Sequence, residues 1–112
     1  FRNLEEKFTL KKLEEKNIVI SLGGGAFMNE NIQNKILLNH LSFWLKWDNK
    51  TLIKRIKDSK KRPVAFKATD QELNDLIKKR SKSYSKALYK IKCDNLKKSE
   101  IVTEILNIYE TN

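Results

Sequence analysis

Three consecutive glycines, Gly23, Gly24 and Gly25, follow a short apolar run and constrain this 112-residue chain more than any other feature. They are all the glycines in the protein, although glycine costs backbone entropy and a turn usually needs only one. A flexible turn between a strand and a helix is one interpretation. We favour a backbone that passes close to a ligand, with free N–H groups and no Cβ in the way. The pattern matches neither G-x-G-x-x-G nor G-x-x-x-x-G-K-[ST], the two phosphate-loop motifs.

The net charge of +10 favours acidic partners such as nucleic acid, anionic membranes or phosphorylated small molecules. Lysines are spread along the chain without a continuous basic stripe, which argues against the first two. No apolar run approaches the ~20 residues that cross a bilayer, and no secretory signal is visible. The lone cysteine, Cys93, cannot form an internal disulfide and favours a reducing compartment. We therefore expect a cytoplasmic monomer that binds small molecules rather than nucleic acid or membranes.

Arginine is scarce among the 24 basic residues, and only four positions carry it: Arg2, Arg55, Arg62 and Arg80. A guanidinium group offers a planar fork to a carboxylate or phosphate, whereas a lysine ammonium does not. The four arginines are therefore candidates for anion recognition, although helix-surface ion pairs would also account for single ones.

Apolar periodicity and capping residues predict an α/β fold with a parallel sheet flanked by helices. The predicted elements alternate along the chain: a helix over 2–16, a strand over 18–22, a helix from Asn29 or Asn31 to about Asn39, a strand over 41–47, a helix from Asp48 or Asn49, a mobile loop over 57–69, a helix from Thr69 to about Tyr89, a strand over 91–94 and a helix over about 100–109. Three strands are few for such a sheet, and the chain opens with a helix. We therefore expect that preceding strands are missing from the sequence.

Four features in this order resemble the shikimate kinases, which have the P-loop kinase fold. They are Phe1-Arg2 with Glu5, the segment Leu22-Gly23-Gly24-Gly25-Ala26-Phe27, the pair Arg62-Pro63, and Arg80 with Tyr84. The resemblance covers essentially the whole chain. It implies a partial shikimate-kinase-like domain over 1–112, corresponding to roughly the C-terminal two-thirds of such an enzyme, with a lid-like loop at about 57–69.

The resemblance implies a phosphotransferase that uses ATP with Mg²⁺ to phosphorylate the 3-hydroxyl of shikimate, in the pathway to chorismate and aromatic amino acids. It assigns the shikimate carboxylate to Arg2 and Arg80, and a backbone contact with shikimate to Gly24, with Gly23 and Gly25 as further candidates. The catalytic lid arginine that closes on the ATP phosphates corresponds to Arg62. The remaining nucleotide-binding candidates are Arg55, near the adenine, and Lys97.

One departure from the family is large, because no G-x-x-x-x-G-K-[ST] loop occurs in the chain. The resemblance places this loop, its lysine, the Mg²⁺ ligands and the aspartate that meets the substrate hydroxyl before Phe1. We therefore expect no metal ligand in this chain and no appreciable activity from it alone. Two alternatives stay open: another small-molecule kinase of the phosphate-loop group, such as a sugar-acid kinase, and a non-enzymatic basic module that binds nucleic acid.

Overall fold

A computed structural model describes residues 2–58 and 68–112 of the chain. The described elements are five α-helices, a short 3₁₀ helix and two strands: α1 (Arg2–Lys12), the 3₁₀ helix (Ala26–Met28), α2 (Glu30–Asn39), β1 (Phe43–Lys46), α3 (Asn49–Asp58), α4 (Asp70–Tyr84), β2 (Tyr89–Lys92) and α5 (Lys98–Glu110). Most of the predicted lid-like loop, including Arg62, lies outside the described residues. Of the helices described, none is both long and apolar enough to span a membrane.

The two strands pair in parallel, with Phe43 opposite Tyr89 and Lys46 opposite Lys92, which confirms the α/β prediction. β1 is shorter than predicted, whereas β2 has the predicted length but begins two residues earlier. The second strand begins earlier because Ser42 already accepts two hydrogen bonds from residues 88 and 89. Its hydroxyl accepts from the N–H of Leu88 at 2.8 Å, and its carbonyl accepts from the N–H of Tyr89 at 3.0 Å.

The predicted strand over 18–22 is wrong for the described part of the chain, in which this segment has no regular secondary structure and belongs to no sheet. A strand requires a neighbour that bonds its N–H and C=O groups, and the described sheet consists of β1 and β2 alone. Burial on both faces, as predicted, is also wrong. Ile20 and Leu22 pack on the core, whereas Val19 is fully exposed.

Two helices end earlier than the apolar periodicity predicts. After α1, the chain tightens into i→i+3 hydrogen bonds and then reaches Asn17, whose φ of 57° is left-handed and stops the helix. After α4, the N–H groups of Lys86 and Ala87 make the same kind of bond, at 3.1 Å and 2.9 Å. In both cases the apolar pattern continues past the point at which the backbone leaves the helix.

Within the described residues, most buried apolar side chains belong to two clusters. The first joins α1, the 3₁₀ helix and α2: Leu13, Ala26, Phe27, Ile32 and Ile36. The second lies under the sheet and α5: Ile91, Cys93 and Ile101. On α2 the buried side chains are Ile32, Gln33 and Ile36, whereas Leu37, which the apolar pattern of the sequence would also place inward, is 41% exposed.

The N-terminus of α3 provides a test by pH. The Asp48 carboxylate accepts a hydrogen bond of 2.7 Å from the N–H of Thr51, and this bond is the main cause that lowers the pKa of Asp48 below its ordinary value of 3.8. Because the pKa of Asp48 is lower in the folded state than in the unfolded state, the ionised carboxylate stabilises the fold at pH values above the unfolded-state pKa. This stabilisation is lost as the pH falls through the folded-state pKa.

Asp48→Asn keeps a capping oxygen but does not titrate, so we expect wild type to be the more stable form at neutral pH. The difference in melting temperature should narrow below about pH 4 as the carboxyl is protonated. Thermal melts of both proteins by circular dichroism across the acid range measure it. A difference independent of pH would contradict the assigned cap.

Candidate active site

Two guanidinium groups from different helices meet at the glycine segment. A Cβ added to Gly24 would lie 2.7 Å from Nη1 of Arg80, and a Cβ added to Gly25 would lie 2.6 Å from Nη1 of Arg2. These glycines do not adopt the left-handed conformation, so the need for glycine here comes from space rather than from φ. The absence of two side chains is what lets both cations reach the same backbone.

Tyr84 fixes α4 against the glycine segment, one helical turn after Arg80. Its hydroxyl donates a hydrogen bond to the carbonyl of Gly24. Its ring lies beside Phe27 and Trp44, with centroid distances of 6.4 Å and 6.0 Å. A side chain held at the ring and at the hydroxyl fixes the backbone of α4, and with it the Cα of Arg80, relative to the glycine segment.

Glu5 holds Arg2 at the start of α1. Its Oε1 lies 3.0 Å from Nη1 of Arg2, and its Oε2 lies 3.4 Å from the position of a Cβ on Gly23. The side chain of Arg2 remains 68% exposed, and exposed ion pairs of this kind contribute only about 0–1 kcal/mol. Glu5 therefore orients the guanidinium without neutralising it for an anionic ligand.

A cavity of about 410 Å³ opens at the carboxyl end of β1, between α3 and α4. Arg80 and Tyr84 line one part of it, and Arg55 lines another. The Arg55 guanidinium lies over the Trp47 ring, 4.8 Å from its centroid. Trp44 and Trp47 also line this cavity.

A smaller cavity of about 240 Å³ lies at the carboxyl end of β2 and shares Trp47 and Arg55 with the first. Cys93 also lines it, and burial together with the charge of Asp94 raises the pKa of this thiol, so it remains protonated. Lys97 follows Leu96, the last residue in sequence that lines this cavity. Its side chain is exposed, and its backbone N–H donates to the Glu100 carboxylate at 2.9 Å.

The structure thus brings Arg2, Arg80, Gly24 and Gly25 together, and it places Arg55 in the same cavity as Arg80. Gly23 lies beside Glu5. Within residues 2–58 and 68–112, no three His, Cys, Asp or Glu side chains are grouped closely enough to hold a metal ion.

Sequence reasoning missed Gln33, which is buried and reaches the segment after the glycines. The available signal was its helical spacing, because residues 32, 33 and 36 lie on one face of α2.

A parallel sheet whose strands lead at their carboxyl ends into cation-lined cavities defines the class of open α/β ligand-binding proteins. Within this class, the protein-family model described as shikimate kinase matches residues 1–110. The chain belongs to the shikimate kinase family.

Relatives named shikimate kinase are similar over most or all of the chain. The protein from Aquifex aeolicus (strain VF5) is 39% identical over 100% of this chain and 66% of its own length. That from Bartonella quintana (strain Toulouse) is 38% identical over 78% of this chain and 42% of its own length. The crystal structure of shikimate kinase from Bacteroides thetaiotaomicron matches 98% of this chain and 66% of its own, with 28% identity and a TM-score of 0.77. The chain therefore spans about two-fifths to two-thirds of the length of these proteins.

Alanine substitutions at the three glycines should separate their roles. Gly24→Ala should displace Arg80 and Gly25→Ala should displace Arg2, because each new Cβ would come within 3.0 Å of a guanidinium that can swing aside. Gly23→Ala is the matched control, since its Cβ would meet Glu5 at an ordinary 3.4 Å. We expect the Nε–Hε NMR signals of Arg80 and Arg2 to shift selectively in the first two variants, with similar thermal stability. Equal spectra for all three variants would contradict this geometry.

Proposed function

We propose that this chain provides the shikimate-binding surface and part of the nucleotide-binding surface of a shikimate kinase, which transfers the γ-phosphoryl group of ATP to the 3-hydroxyl of shikimate. One observation carries the proposal: the guanidinium groups of Arg2 and Arg80 lie together against Gly24 and Gly25. Within the described part of the chain, the N–H groups of these two glycines donate to no backbone acceptor.

Shikimate is a small ring with a single carboxylate, and this arrangement suits such a group. Each guanidinium can donate two parallel hydrogen bonds to a carboxylate, and these are among the stronger hydrogen bonds in proteins. Arg2 and Arg80 would bind the two oxygens, while the glycine backbone would contact the ring without steric hindrance. Glu5 would keep Arg2 directed at the glycines before the ligand binds.

The nucleotide would lie towards the second cavity, in the compartment that Arg55 shares with the carboxylate site. Arg55 and Lys97 are the proposed contacts there, and Arg62, outside the described residues, is the proposed catalytic contact with the ATP phosphates. Positive groups act on phosphoryl transfer by stabilising the negative charge that is spread over the transferred group. A cytoplasmic monomer is part of the same proposal.

The chain itself contains no G-x-x-x-x-G-K-[ST] loop to hold the nucleotide phosphates. The described residues also contain no close group of three His, Cys, Asp or Glu side chains that could hold a metal ion without the nucleotide. We therefore assign no residue of this chain to the Mg²⁺ that the family's chemistry uses, and we propose that the chain alone does not phosphorylate shikimate.

A chimera tests this function directly. The part of the Aquifex aeolicus relative that precedes its match to this chain would be joined to Phe1, and ADP release would be followed with ATP, Mg²⁺ and shikimate. We expect ADP release that depends on shikimate in the chimera and none above background in the chain alone. Activity with a sugar acid such as gluconate, together with none on shikimate, would instead favour the alternative kinase.

Arg80→Lys in the chimera should weaken shikimate binding, because an ammonium keeps the charge but loses the planar fork. The expected loss is about 1.5–3 kcal/mol, the range for hydrogen bonds to charged groups. Isothermal titration with shikimate alone measures it. Lys79→Arg, on the exposed side of the same helix, is the matched control and should bind like the parent. Equal affinities of the parent and Arg80→Lys would remove the support for the carboxylate site.

A further inference from the structure

A buried polar cluster lies behind the glycine segment, formed by Gln33 of α2, Ser83 of α4 and the carbonyl of Phe27. Nε2 of Gln33 donates to the Phe27 carbonyl at 3.0 Å and to Oγ of Ser83 at 2.8 Å. Oγ of Ser83 donates in turn to the same carbonyl at 3.3 Å. Every proton of the Gln33 amide and of the Ser83 hydroxyl is thereby used. We call these three groups the Gln33 cluster.

The Gln33 cluster occupies a place where an apolar side chain would ordinarily pack. Gln33 is only 7% exposed, and its neighbours on the buried face of α2 are Ile32 and Ile36. Burying an amide is costly unless its hydrogen bonds are replaced, and the net gain when they are replaced is small. A leucine at position 33 could fill the same space, but it could not orient its neighbours. The hydrogen bonds of the cluster fix three chain segments relative to one another.

The position of the Gln33 cluster connects it to the site. Phe27 comes two residues after Gly25, and Ser83 comes three residues after Arg80 on the same helix. The cluster and the Tyr84–Gly24 hydrogen bond are therefore two separate connections between the end of α4 and the glycine segment. Two connections prevent a rotation of α4 that either one alone would permit.

We propose that Gln33 and Ser83 are positioning residues, which hold the Arg80 guanidinium in register with Gly24 by fixing the Phe27 carbonyl to α4. This role rests on the proposed function, since it concerns the carboxylate site. Neither residue contacts that site, so their effect passes through Arg80.

Gln33→Met tests the proposal because it keeps the length of the side chain and removes its hydrogen bonds. Ser83→Ala is the second variant, in case the first does not fold. The controls are Gln71→Met and Ser85→Ala, whose side chains bond only on the exposed side of α4 and the turn after it. All are made in the 112-residue chain and compared by NMR, first without ligand and then in a titration with shikimate.

Without ligand, we expect the Nε–Hε signal of Arg80 to shift and broaden in Gln33→Met and Ser83→Ala and to stay unchanged in both controls. An unchanged Arg80 signal in both cluster variants would overturn the proposal, whether or not shikimate binds.

With shikimate, we expect Gln33→Met to raise the dissociation constant about three- to ten-fold, within the lower part of the range for residues coupled through a shared contact. In an Arg80→Lys background the same change should have less than about a two-fold effect, because the group it positions is gone. Equal effects in both backgrounds would identify the cluster as structural only and would overturn the positioning role. A failure of the proposed function is recognised separately, by an Arg80→Lys chain that binds shikimate as wild type does.

Discussion

The close contact between two guanidinium groups and a backbone without side chains is the constraint on which the site depends. At Gly24 and Gly25 a single methyl group would fall within 3.0 Å of Arg80 or Arg2. The first helix and the fourth helix can therefore both deliver a cation to one short segment, although they are distant in sequence. Under the proposed function, a ligand carboxylate would offset the repulsion between these two cations and would accept directed hydrogen bonds from both.

Arginine and lysine perform different tasks in this protein. The twenty lysines supply most of the charge, and those at the surface, such as Lys78 and Lys79, are exposed on the outer side of α4. The three arginines in the described residues instead have directed contacts: Arg2 with Glu5, Arg55 with the Trp47 ring, and Arg80 with Gly24. A planar, weakly hydrated cation can stack and bond in a fixed direction, which an ammonium group cannot do. The net charge therefore does not predict where the site lies, whereas the positions of the arginines do.

The sequence was sufficient to predict the α/β class, the alternation of elements and the meeting of the glycines with Arg2 and Arg80, because these follow from local patterns and a family motif. It was insufficient where the outcome depends on partners distant in the chain. Residues 18–22 have strand-like composition, but a strand exists only when a second strand pairs with it. Gln33 and Leu37 are four residues apart on α2 and share a side of the helix, yet Gln33 is buried and Leu37 is not, and Gln33 is the one that bonds Ser83 of another helix.

The two cavities are joined by a common wall, since Trp47 and Arg55 line both. The Arg55 guanidinium lies over the Trp47 ring, and both side chains line the two cavities. The larger cavity is lined by Lys46 and Arg80 as well as Arg55, whereas the smaller one is lined by Asp48 and Asp94 beside Arg55. Under the proposed function, a carboxylate in the larger cavity would therefore meet mainly positive charge, whereas an anion near β2 would meet Arg55 together with two carboxylates.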